Sequence, residues 1–276
     1  MMNFNKLLSL FTASACICGI LLFSGCSEIE EDKPQLEVIE NVNNYGSSYV
    51  YETLSDKEKR CYDEFAEGVE NFETSIKLPE VLTPQEMRKI YVLVYNQEPQ
   101  LFWLSSIFVT PAGDTDLQSV SYRYTQEESQ KMQEQINSAV SDIMSQFPEN
   151  ATDYEKIRTI HDWIIKKSKF EKDTYYGNTV YGAVVDGKAQ CEGYANAFSY
   201  VCDIAGIQNV VVPGTNANGE THVWNKVLIN GLWYNVDLTW DDPILKYDDP
   251  DFIRHDYMMV TDKDIEIGRA SCRERV

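Results

Sequence analysis

The chain has 276 residues, with 44 Asp and Glu against 24 Lys and Arg and a formal net charge of −20. That length is enough for one or two domains with a substantial core. The charge argues against nucleic acid, whose phosphates need neutralising by Lys and Arg, and suits a protein displayed in solution or meeting cationic groups.

The N-terminus reads as an export signal. Lys6 supplies the positive region and Leu7 to Phe23 is apolar without charge. Phe23-Ser24-Gly25-Cys26 resembles a lipobox, with Phe23 where Leu is usual. Residues 1–25 are therefore expected to be a signal peptide and Cys26 the lipidation site, with residues 26–49 as a flexible tether. A plain secretory signal or an uncleaved anchor helix is the alternative reading. The expected location is an exported lipoprotein, at the cell surface or in the periplasm, anchored to the membrane through Cys26.

Four segments then open with capping boxes, each pairing a hydroxyl N-cap with Glu three residues on. Ser55…Glu58 predicts a helix to about Phe72, and Thr83…Glu86, with Pro84 at N1, one to about Tyr95. Two strand-like runs follow, 102–110 and 118–124, joined by the turn signal Pro111-Ala112-Gly113-Asp114. Thr125…Glu128 predicts a long helix to Phe147, and Thr152…Glu155 one to about Lys169. Residues 50–150 form an N-terminal helical and β-hairpin extension, and 151–266 the domain that carries the chemistry. His161, mid-helix with no nucleophile beside it, reads as a buried structural histidine.

Residues 192–205 follow a helical pattern, with Gly206 as a C′ candidate. This puts Cys191 at a helix N-terminus, where free amides and the macrodipole favour a thiolate. Gly193 leaves room for a substrate. Tyr181 or Gln190 could join the Cys191 amide in an oxyanion hole.

Next, Asn230-Gly231 separates two β-rich runs, 222–229 and 232–239, and is a strong hairpin signal. A two-residue loop pairs Ile229 with Leu232, Trp224 with Asp237 and His222 with Thr239. His222 and Asp237 then share a face as diagonal neighbours, roughly 7–8 Å apart at Cα. The opposite face, Val223, Val227, Ile229, Leu232, Tyr234, Val236 and Leu238, reads as core, with Asn225 its polar exception. Asp237 ahead of Leu-Thr-Trp also reads as a turn or cap residue. His255, in Arg254-His255-Asp256, is expected to be exposed or just behind the site.

Of the seven cysteines, Cys16 and Cys18 fall in the signal, and Cys272 in a doubtful tail. With Cys26 lipidated, Cys61, Cys191 and Cys202 remain, too few for a disulfide framework; a Cys61–Cys202 bridge is the one pairing left open. No cysteine or histidine spacing suits zinc, so no metal and no cofactor is expected. Residues 267–276 match one reading frame of a common short-read sequencing adapter, so they are set aside and the native gene is expected to continue past Ile265.

The stretches Gly187-Lys188-Ala189-Gln190-Cys191-Glu192-Gly193-Tyr194-Ala195, His222-Val223-Trp224-Asn225 and Trp233-Tyr234-Asn235-Val236-Asp237-Leu238-Thr239-Trp240 resemble the transglutaminase core domain, and more closely bacterial extracellular transglutaminase-like proteins. The resemblance covers about residues 153–262. It implies an α+β, papain-like fold in which a helix carrying Cys packs on an antiparallel sheet carrying His and Asp. It makes Cys191 the nucleophile, His222 the base and Asp237 the orienting acid. The expectation is an exported cysteine acyl-transfer enzyme, transglutaminase-like or a peptidase or amidase. Its substrate would be a peptide, a protein or a peptidoglycan peptide. The non-enzyme alternative is a catalytically silent binding scaffold at the cell surface.

Overall fold

The structure, a computed structural model, describes residues 49–109, 116–216, 219–242 and 252–265. The expected signal, Cys26, nearly all of the tether, the turn at 111–114 and the tail at 267–276 lie outside the described residues. No helix among the described residues is long and apolar enough to cross a membrane.

Local chemistry sets the first half of the chain. After α1 (Tyr49–Glu52), helix α2 (Asp56–Glu70) begins behind Ser55. Strand β1 (Ser75–Lys77) leads to α3 (Pro84–Gln97), behind Thr83. Strands β2 (Leu104–Val109) and β3 (Asp116–Tyr122) precede α4 (Gln126–Ser145) and α5 (Asp153–Lys167), behind Thr125 and Thr152. All four expected capping boxes form. In each, the N-cap hydroxyl accepts the N3 amide and the N3 glutamate accepts the N-cap amide. Each helix therefore starts where two otherwise unpaired donors find partners.

Short parallel strands β4 (Lys169–Phe170) and β5 (Lys188–Ala189) flank a π-helical turn at Gly182–Asp186 and lead into α6 (Cys191–Ile204). Gly206, at φ 74°, ends α6. Its amide donates to Asp203 O and that of Ile207 to Cys202 O, the Schellman pairing that closes the last turn. Strands β6 (Asn209–Thr215), β7 (Thr221–Ile229) and β8 (Leu232–Val236), then α7 (Leu238–Asp241) and β9 (Met258–Val260), complete the described chain.

The expected α+β architecture is present: α6 lies against an antiparallel sheet of order β6-β7-β8-β9. A second sheet, of order β1-β3-β2, belongs to the N-terminal half. The Asn230-Gly231 loop adopts positive φ at both positions, 52° and 80°, and pairs Ile229 with Leu232 as its turn chemistry requires.

The expected second strand does not reach Thr239. It stops at Val236, because Asp237 turns to cap α7, so the Trp224–Asp237 and His222–Thr239 pairs do not form. Leu232, expected in the core, is 61% exposed. Strand β6 had no periodic signal of its own. Its Pro213 is tolerated because β6 is an edge strand, and β6 places Gly214 beside His222.

One apolar core runs from Leu54 to Met258. Polar clasps add to it. Buried Gln97 donates to Val211 O at 2.9 Å and accepts from Val211 N at 3.1 Å, covering the free edge of β6. Arg123 donates to Asn178 Oδ1 at 2.6 Å, and Gln133 to the Tyr200 hydroxyl at 2.8 Å. Cys61 and Cys202 are both free thiols, so the bridge left open between them is not made.

Candidate active site

Cys191 is the first residue of α6, and a neighbouring backbone segment fixes that helix start. Gln190 N donates to Gly177 O at 2.7 Å, and the Gln190 amide side chain donates to Lys172 O at 2.6 Å. That bond anchors the side chain and uses one of its two amide N–H donors. Gly193 has a different reason from the expected one. A Cβ there would sit 2.1 Å from Gly177 O, so the glycine admits the 174–178 loop rather than a substrate. Gln190 makes no side-chain cap bond to α6. Cys191 is partly exposed, whereas Cys61 and Cys202 are buried, which pushes both of their thiols above the ordinary value.

His222 and Asp237 meet as expected, though by another backbone route. His222 lies near the start of β7, and Asp237 leaves β8 into α7. The His222 Nε2 to Asp237 Oδ2 distance is 2.7 Å, with both residues buried. Asp237 Oδ1 accepts the Trp240 amide at 3.3 Å. One carboxylate therefore both caps α7 and fixes the imidazole. The other ring nitrogen, Nδ1, is not engaged by Asp237, and Cys191 lies close enough to the ring to act on its charge. Burial opposes the charged ring, but the hydrogen bonds and charges of Asp237 and Cys191 outweigh it and raise His222 to about 9. Two indoles neighbour the ring, with centroids 6.0 Å away for Trp224 and 5.8 Å for Trp240. Trp224 is itself held by Asn235 Oδ1, which accepts its indole N–H at 2.9 Å.

The Cys helix and the His strand are joined directly. Asn225, the polar exception on the core face, donates from Nδ2 to Ala195 O in α6 at 3.0 Å. Helix α7 is held as firmly. Both Asp241 carboxylate oxygens accept the Tyr257 amide, and Oδ2 also faces His161 Nε2 at 3.1 Å. Asp242 accepts the Tyr194 hydroxyl of α6, and Asp237 N donates to Tyr257 O at 3.1 Å.

Sequence reading missed Asp241, Asp242 and Tyr257 as supports. The available signal was the cap reading of Asp237, since an N-cap aspartate makes Asp241 and Asp242 the end of a helix instead of strand residues. His161 is the buried, hydrogen-bonded histidine expected. His255 is partly buried, and its ring stacks on that of His161 at 5.2 Å.

The chain is similar to known proteins over part of its length. Residues 142–238 match the sequence profile of the transglutaminase-like superfamily. The kyphoscoliosis peptidase of Mus musculus is 33% identical over 122 residues, covering 38% of this chain and 18% of that protein. The Homo sapiens kyphoscoliosis peptidase is 32% identical with the same coverage. This chain thus spans only 18% of the length of these curated relatives. A crystal structure of a TGase aligns over 63% of this chain and 52% of that one, with TM-score 0.37 and 14% identity. The matched stretch, residues 142–238, holds Cys191, His222 and Asp237, and is similar to the transglutaminase-like superfamily.

Proposed function

We propose that this domain is a cysteine-dependent acyl-transfer enzyme with Cys191 as nucleophile, His222 as base and acid, and Asp237 as the residue that orients His222. The observation that carries the reading is the buried 2.7 Å imidazole–carboxylate bond between His222 and Asp237, with the partly exposed Cys191 at the start of α6 near enough to the ring to act on its charge. Asp237 stabilises the imidazolium that forms, and so favours the thiolate–imidazolium pair over the neutral pair. The Cys191 thiolate attacks the carbonyl carbon of a carboxamide or peptide bond. The oxyanion lies at the uncapped amides of the first turn of α6. His222 gives its proton to the leaving amine, and a thioester on Cys191 remains. Water or a second amine, deprotonated by neutral His222, then resolves it.

The proposed substrates are peptides, proteins or peptidoglycan peptides met outside the cytoplasm, following from the lipobox-like sequence at Cys26. The peptidase name of the two relatives is consistent with hydrolysis as one outcome. The test is incubation with casein or peptidoglycan plus a labelled amine, read by mass spectrometry. Amine incorporation identifies transfer and new free carboxylates identify hydrolysis, and both should vanish in Cys191→Ala. If wild type and Cys191→Ala give the same products, the enzyme reading fails and the silent scaffold is favoured.

A further inference from the structure

A second cluster of chemistry-bearing side chains lies at the far end of α7 from Asp237. His161 and Asp162 come from α5, and His255 from the segment before β9. His161 Nδ1 is 2.9 Å from Asp162 Oδ1, and His255 Nε2 is 2.6 Å from the same oxygen. One nitrogen of each ring and that carboxylate oxygen lie within 4.8 Å of one another. The two rings stack with centroids 5.2 Å apart and planes at 29°. His161 is fully buried, while the Asp162 and His255 side chains are 23% and 31% exposed. The cluster is therefore rigid on one side and open to water on the other.

The geometry points to a binding site for a divalent transition metal of the zinc class, with His161 Nδ1, Asp162 Oδ1 and His255 Nε2 as its protein ligands. Two imidazoles and a carboxylate are a donor set that such ions take, with solvent filling the remaining position. Donors around a tetrahedral zinc ion stand roughly 3.3–3.5 Å apart, so the two short contacts need to open by under an ångström. Asp241 supplies the outer support that metal-bound histidines require. Its carboxylate is fixed by the Tyr257 amide and faces His161 Nε2 at 3.1 Å, where it can accept that nitrogen's proton while Nδ1 faces the cluster.

On binding, the ion takes a lone pair from His161 Nδ1 and from His255 Nε2, and any proton held on those nitrogens leaves to solvent. Arg158, 3.7 Å from Asp162 Oδ2, engages the other carboxylate oxygen and leaves Oδ1 to the cluster. Sequence spacing concealed the site because Asp162 and His255 are 93 residues apart. Occupancy would tie α5 to the segment carrying Tyr257, and so hold α7 and Asp237 in place.

The test is calorimetric titration of untagged, chelator-treated protein with zinc chloride. It uses the Cys191→Ala background, so that zinc on that thiol is not counted. One ion per chain should bind with micromolar or tighter affinity. His255→Ala, at a partly exposed residue, should weaken binding by at least tenfold, and Asp241→Asn by about 10–100-fold. Cobalt in place of zinc should give visible absorption bands that His255→Ala loses. No saturable uptake in the Cys191→Ala protein overturns the proposal. So does zinc affinity unchanged by His255→Ala when both proteins melt cooperatively.

Discussion

At the scale of single residues, Asp237 shows how two readings of one side chain can both hold. Its carboxylate orients His222 with one oxygen and caps α7 with the other. Asn at this position can keep the cap but not the charge beside the imidazole. Asp237→Asn should therefore still fold, with a melting point nearest wild type above about pH 9, while amine transfer or hydrolysis falls on the order of 10²–10⁴-fold. His222 gives a pH prediction. Its folded-state value, about 9, lies above the ordinary 6.5, so its stabilisation is complete below pH 6.5 and is lost as pH rises through about 9. Thermal melts should show stability falling across that window, with a smaller fall in Asp237→Asn because the main group raising His222 has lost its charge. The meeting of His222 and Asp237 was expected from the Asn230-Gly231 hairpin, although the pairs that expectation placed beyond Val236 do not form. The anchoring of the Gln190 side chain was not, because its partner, Lys172 O, belongs to a loop whose path no local pattern gives.

At the scale of elements, legibility followed the range of the forces. The four capping boxes and the Gly206 stop are contacts within a few residues, and all were readable from the chain. The edge strand β6 and the short helix α7 were not. β6 is stabilised by pairing with β7 and by Gln97, 114 residues from Val211, and α7 by groups on α5, α6 and the segment before β9. Two variants probe these long-range clasps. Gln97→Ala leaves the Val211 amide and carbonyl buried without their partner and should cost about 1–3 kcal/mol in denaturant melts. Gly193→Ala drives a Cβ into Gly177 O, a backbone atom that cannot swing aside. It should destabilise by about 1–3 kcal/mol and reduce activity by displacing the start of α6.

At the scale of the whole molecule, the N-terminal half and the half that holds Cys191, His222 and Asp237 share one core, and a buried carboxylate lies within that shared structure. Glu98 follows α3 directly and accepts hydrogen bonds from Tyr62 and Gln100. Burial raises it to about 7 despite those bonds. Its protonated form is favoured by folding, so this contribution is complete below the ordinary carboxylate value and is lost as pH rises through about 7. Glu98→Gln should therefore gain about 1–3 kcal/mol on wild type at pH 8 and little at pH 4.5, measured by denaturant melts. The central claim, that His222 and Asp237 exist to activate Cys191, is tested most directly by iodoacetamide. The measurement is the alkylation rate of Cys191 at pH 6, by peptide mass spectrometry, in wild type and in folded His222→Gln. The charged imidazole should hold a reactive thiolate, so the wild-type rate should exceed that of the variant by at least tenfold, with Cys61 and Cys202 slower still. Equal rates in the two proteins would contradict the account.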